Sequence, residues 1–303
     1  MTTTSAPVNG IDLAYETFGD HRHPPMLLIM GLGTQMIAWP DPLCIDLAER
    51  GYDVVRFDNR DVGLSTHLRD VRAPSLADIV LRRSEPPYTI GDMADDAVGL
   101  MDALDLGTAH VVGASMGGFI AQTLALDHRS RVRSLTLVMT STGSRRVGNP
   151  RPQMFTRLTK RRAVADRSTA QATAVETFRI IGSRGYAFDE QYLHDLAGRS
   201  YDRAHDPGGY LRQLSAIMAQ PDRTADLRRL DVPSLVMHGL DDPLVASSGG
   251  LALAKALRGS RFVGFEGMGH DLPRELWADS ADNIAALAAR ADRPCPSTTP
   301  PAA

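Results

Sequence analysis

Six short apolar runs, separated by stretches of helical periodicity, constrain this chain more than any other feature. They read MLLIM (26–30), YDVVRFD (52–58), HVVGA (110–114), SLTLVMT (134–140), SLVMHG (234–239) and RFVGFEG (261–267). Runs that are continuous rather than alternating fit strands covered on both faces. Helices are expected between them, as over 92–105, where Met93, Ala97, Leu100, Met101 and Leu104 make one stripe. There Asp92, Asp95 and Asp96 suit the positive N-terminal end. Strands alternating with helices imply an α/β fold with a mostly parallel sheet and helices on both faces. Ahead of it, Ile11, Leu13 and Tyr15 alternate with Asp12, Ala14 and Glu16 just after Asn9-Gly10, which predicts an antiparallel hairpin at the N-terminus.

The alternation lapses after Thr142. From there to about Asp222 no strand stands out, whereas AVADRSTAQATAVETFRIIG (163–182) and YLRQLSAIMAQ (210–220) read as helical. It resumes with the last two strands, a helix near 247–257 and a terminal helix near 273–290. We therefore expect a core from 1–142 and 223–290, an inserted helical cap or lid over 143–222, and a tail over 291–303. The segment RPCPSTTPPAA (293–303) is too rich in Pro, Ser and Thr to offset its ordering entropy by burial. At 303 residues and 43% hydrophobic, the chain is long enough to bury a sizeable core.

Residues 110–120, HVVGASMGGFI, hold the chemistry. A buried strand through Val111 and Val112 runs into Gly113-Ala114-Ser115-Met116-Gly117, then into a helix carrying Phe119, Ile120, Leu124 and Ala125. That is the strand–turn–helix setting of a nucleophile elbow, in which Gly113 and Gly117 let strand and helix approach closely beside Ser115. The alternative is an ordinary serine N-cap, since serine is favoured at helix starts and glycines are common in loops, but the placement between a buried strand and a helix in an α/β chain favours the elbow. A serine hydroxyl needs a base, usually a histidine oriented by a carboxylate.

Nine histidines compete for that role. His21, His23, His67, His110, His128, His194 and His205 lie in turns, at a strand start or beside helices, and His238 ends an apolar strand. His270 differs: it follows the last strand, with Gly267 and Gly269 allowing its loop to fold over a site. For the acid, the turn MHGLDDPLV places Asp241 and Asp242 at the C-terminal end of a strand, where such sheets bind ligands. Spacing alone barely separates the two. With either, the order is Ser, Asp, His, as this elbow requires. The elbow itself supplies the backbone N–H of Met116 toward an oxyanion.

The motifs MGLG (30–33), WPD (39–41), RFDNRDVGLST (56–66), HVVGASMGG (110–118), ALDHRSRV (125–132), PSLVMHGLDDPLV (233–245) and EGMGH (266–270) together resemble the α/β-hydrolase fold superfamily. Within it the chain looks like the esterase group that includes the aclacinomycin methylesterases. The likeness spans most of residues 8–290 and is weakest in the cap. It implies Asp242 as the acid, three residues after Gly239, and the N–H of Leu32 as the second oxyanion donor. Many relatives carry His-Gly where this chain has Met30-Gly31, so bonds that brace the loop must come from elsewhere. The segment DNRDVGLS resembles the family loop D-x-R-G-x-G-x-S, with Asp61 in place of the first glycine and a bracing role implied.

The expected function is a serine hydrolase of carboxylic esters, working through an acyl-enzyme with Ser115, His270 and Asp242 as catalytic triad and Leu32 and Met116 as oxyanion hole. Such chemistry needs neither metal nor organic cofactor. The same triad would serve thioesters, lactones, carbon–carbon bonds or perhydrolysis, and a ligand-binding receptor with vestigial activity is a reading from another class. Serine at the elbow argues against the aspartate-dependent dehalogenases and epoxide hydrolases of this fold.

A net charge of −3 gives no footprint for nucleic acid, so a small-molecule ester is the expected partner. The basic stretch 145–162, with Arg145, Arg146, Arg151, Arg157, Lys160, Arg161 and Arg162, reads as a solvated face, with contact to anionic or lipid substrates the alternative. The N-terminus has no secretory pattern and no run approaches the ~20 apolar residues of a membrane span, which points to the cytoplasm without stable membrane insertion. Cys44 and Cys295 form no evident disulfide or metal motif. Nothing fixes the oligomeric state, and a homodimer is compatible with the sequence.

Overall fold

In a computed structural model that describes residues 3–81, 83–151, 154, 164 and 166–293, Thr4–Val8 (β1) and Ile11–Phe18 (β2) pair antiparallel around Asn9-Gly10. Both turn residues have positive φ, as a two-residue hairpin turn requires. Pro25–Ile29 (β3), Asp53–Phe57 (β4), Ala109–Ala114 (β5), Val132–Val138 (β6), Ser234–Gly239 (β7) and Arg261–Phe265 (β8) complete one eight-stranded sheet. Its order is β1-β2-β4-β3-β5-β6-β7-β8, and every pair after β2–β4 is parallel. The fold class read from the sequence is the one observed.

The apolar runs are continuous because successive residues serve opposite faces. Leu27, Ile29, Val55 and Val111 pack with helices Ile90–Ala103 (α3), Met116–Asp127 (α4) and Ser248–Ala256 (α9), the last numbered in chain order. Met26, Leu28, Val54 and Val112 pack instead with Asp41–Glu49 (α1) and the terminal Trp277–Ala291 (α10). Each such fully buried side chain is worth roughly 1.5–3 kcal/mol over exposure. Helix α3 starts at Thr89, whose capping box with Asp92 satisfies first-turn N–H groups. Cys44 sits in α1, where burial pushes its thiol up to about 12.

Between β6 and β7 the described residues include the helices Arg167–Ile181 (α5), Glu190–Arg203 (α6) and Pro207–Ala219 (α7), followed by the short Thr224–Leu227 (α8). A further short helix, Leu76–Leu81 (α2), precedes α3. The α5–α7 segment bonds to loops at the C-terminal ends of the strands: His270 N–H donates to Ile181 O, and Gln35 Nε2 donates to Ser200 O. Among the described residues no helix is long and apolar enough to cross a membrane. Arg157, Lys160, Arg161 and Arg162 of the basic stretch, Cys295 and residues 294–303 of the expected tail lie outside the described residues.

Candidate active site

Ser115 stands between β5 and α4 with φ 54° and ψ −116°, a conformation that costs a non-glycine residue energy and persists only where surroundings hold it. Three hydrogen bonds hold this turn: Ser115 N–H donates to Val138 O at 2.9 Å, and Ser115 O accepts from Thr140 Oγ1 at 2.8 Å and from Gly118 N–H at 3.0 Å. The flanking glycines are sterically required. A Cβ on Gly113 would lie 2.2 Å from Gly117 O, and one on Gly117 would lie 2.1 Å from Ile29 O. The turn therefore presents a half-buried hydroxyl at the C-terminal edge of the sheet.

Two loops meet that hydroxyl. His270, in the loop after β8, places Nε2 at 3.1 Å from Ser115 Oγ and Nδ1 at 2.7 Å from Asp242 Oδ2. With the proton on Nδ1, the imidazole donates to Asp242 and accepts from the serine hydroxyl. Asp242 is almost fully buried, and its Oδ1 accepts from the N–H groups of Leu244 and Val245 at 2.8 Å each. Asp241 turns away: its carboxylate accepts from Gly267 N–H at 3.1 Å. The structure thus brings Ser115, His270 and Asp242 into one hydrogen-bonded line and leaves Asp241 outside it.

Residues 24–273 match the family model of the alpha/beta hydrolase fold. The chain belongs to the α/β-hydrolase fold family. It is 30% identical to rhodomycin D methylesterase DauP of Streptomyces sp. (strain C5), over 90% of this chain and 93% of that protein. It is 26% identical to 3-oxoadipate enol-lactonase 2 of Acinetobacter baylyi, over 81% of each chain. In structure it is similar to the enol-lactonase from Burkholderia xenovorans LB400, with TM-score 0.74, 25% identity, and coverage of 94% of this chain and 99% of that one. Hydrolase activity is the common ground of these relatives.

As an α/β hydrolase the chain departs from the common loop sequences at two positions, and the structure shows how each is accommodated. Asp61 stands at φ 68°, the left-handed region where the resembling loop has glycine. Its carboxylate is clasped by Arg212 of α7 through two 2.8 Å hydrogen bonds, both partners being buried. Arg212 also bonds Asp206 at 3.0 Å, and Asp206 faces His67 at 3.1 Å. Arg212 already bonds both carboxylates, so Asp61, His67 and Asp206 read as part of a hydrogen-bonded charge network despite their metal-like clustering. At the second departure, Met30 O accepts from Asn59 Nδ2 at 3.0 Å. Among the described residues, neither the Leu32 nor the Met116 N–H has an acceptor within the protein.

His238 was the other histidine near this α/β-hydrolase site. It is fully buried, donates from Nε2 to Val245 O at 2.8 Å, and has Nε2 3.7 Å from Asp242 Oδ2. Burial pushes its imidazole below the ordinary range, which keeps it neutral. It therefore props the acid-bearing turn. Beside the base, Asp271 accepts from the Ser183 N–H at 2.8 Å, and burial raises its carboxyl. Sequence reasoning missed this latch because its partners lie 88 residues apart. Of the basic stretch, Arg145, Arg146 and Arg151 are exposed, and Arg151 reaches Asp241 O at 3.4 Å.

Proposed function

We propose that the protein is a serine hydrolase that cleaves small carboxylic esters through an acyl-enzyme. The observation that carries this reading is the 3.1 Å contact between Ser115 Oγ and His270 Nε2 at a strained strand-to-helix turn. His270 takes the serine proton as Oγ attacks the ester carbonyl, and returns it to the departing alcohol. Water then attacks the acyl carbonyl as it gives a proton to His270, and His270 passes that proton to Ser115 Oγ as the acyl–oxygen bond breaks and the acid leaves. Asp242 fixes the tautomer and stabilises the imidazolium. The N–H groups of Leu32 and Met116 receive the oxyanion, a contribution worth about 3–4 kcal/mol per donor. On this reading the sequence 143–222 is a cap that shapes access to Ser115, and the enzyme works in the cytoplasm.

The methylesterase relative favours an ester, and the two enol-lactonases favour a lactone, which is a cyclic ester open to the same attack. A panel of p-nitrophenyl esters, methyl esters and lactones tests the reading. Turnover of at least one class, lost in Ser115→Ala with the fold retained, is the expected result. Undiminished turnover in Ser115→Ala would refute it.

A further inference from the structure

Helix α7 reaches into the proposed oxyanion loop with one buried amide. Gln213 is fully buried; its Oε1 accepts from Gly33 N–H at 2.7 Å, and its Nε2 donates to Arg60 O at 2.8 Å. Glutamine is suited to this site, since one planar group must accept from one loop and donate to another. The partners also fix which end of the amide is oxygen. Tyr210, one turn earlier on the same helix, closes the contact, because a Cβ on Gly33 would lie 2.7 Å from its ring.

The bonded atoms flank the donor itself. Gly33 N–H and Leu32 C=O belong to one rigid peptide plane. Gln213 holds the N–H side of that plane, and Thr34 Oγ1 holds the carbonyl side at 3.1 Å. Asn59 holds Met30 O, and Thr34 N–H holds Gly31 O at 3.2 Å. With the units around it fixed, the Leu32 N–H has no acceptor among the described residues. Arg212, the neighbour of Gln213, locks α7 to Asp61 and so keeps the amide from withdrawing.

We infer that Gln213 is a positioning residue for turnover: the helical segment between β6 and β7 aims the Leu32 oxyanion donor as well as covering the site. This rests on the reading of Ser115 as nucleophile and Leu32 N–H as oxyanion donor. The segment thereby takes over bracing that the Met30-Gly31 sequence does not supply by side chain.

The test uses the full chain, p-nitrophenyl acetate and three variants. Gln213→Met keeps volume and removes both bonds; Gln213→Asn keeps the amide but withdraws it; Gln213→Glu keeps an acceptor for Gly33 N–H. In Gln213→Met and Gln213→Asn, kcat should fall ~10–100-fold, below the loss for deleting a donor outright, with KM within about twofold. The form of the pH–rate profile should be unchanged. The inhibition constant of a trifluoromethyl ketone, which captures the serine as an oxyanion adduct, should rise in step with the loss of kcat/KM. Gln213→Glu should recover about tenfold over Gln213→Met. If Gln213→Met does not fold, Gln213→Asn carries the same expectation. Unchanged kcat in a folded Gln213→Met or Gln213→Asn, or losses that follow thermal stability and are not relieved by Glu, would overturn the inference alone. A wild-type protein that turns over no ester would overturn the underlying reading with it.

Discussion

Asp61 and Arg212 face each other through two buried 2.8 Å hydrogen bonds that join the loop after β4 to helix α7. Removing the charge on one partner strands the other. Asp61→Asn tolerates the positive φ yet loses the anion, and should lower unfolding free energy by about 2–4 kcal/mol, with Asp206 limiting the loss. Urea denaturation measures this. A change below ~0.5 kcal/mol would mean that the pair does not hold α7 in place.

The two adjacent acids should separate sharply in kinetics. Asp242→Asn keeps the shape but disturbs the His270 tautomer, so kcat should drop ~10⁴-fold. Asp241→Asn should stay within about threefold of wild type, because its carboxylate bonds Gly267 N–H and not the imidazole. Steady-state rates on one ester decide it, and the reverse pattern would reassign the acid.

At the elbow, Gly117→Ala places a methyl 2.1 Å from Ile29 O, a backbone atom with little room to yield. The overpacking should cost about 3 kcal/mol or more, or yield insoluble protein. A thermal melt of Gly117→Ala within 2 °C of wild type would contradict the close strand–helix approach.

Stability should depend on pH through His238. Its folded pKa lies below the ordinary 6.5, so on acidification the unfolded chain takes up a proton before the native one does. Stability contributed by the neutral imidazole is thus present above about 6.5 and lost as pH falls below it. Replacing it in His238→Asn should flatten the fall in urea midpoint between about pH 7.5 and 5.5. An identical slope in both proteins would show that His238 does not titrate on unfolding.

The parallel strands and the elbow were legible because their signals are local: continuous apolar runs and a G-x-S-x-G between strand and helix. So was His270, flanked by glycines after the last strand. Spacing could not separate Asp241 from Asp242, since side-chain direction within a turn depends on which N–H groups it caps, here those of Leu244 and Val245. Helix α6 carries little apolar signal in the sequence because it is polar, with Gly198 its buried residue. Arg212 and Gln213 were invisible as site residues: their partners, Asp61 and Gly33, lie 151 and 180 positions away.

Ser115 as nucleophile is the central claim, and covalent labelling tests it most directly. Native protein treated with a fluorophosphonate should gain one adduct, located on Ser115 by peptide mass spectrometry, with simultaneous loss of ester hydrolysis. His270→Gln should label at least about 100-fold more slowly, and Ser115→Ala not at all. An adduct on another residue, or full hydrolysis persisting in the labelled protein, would contradict the account.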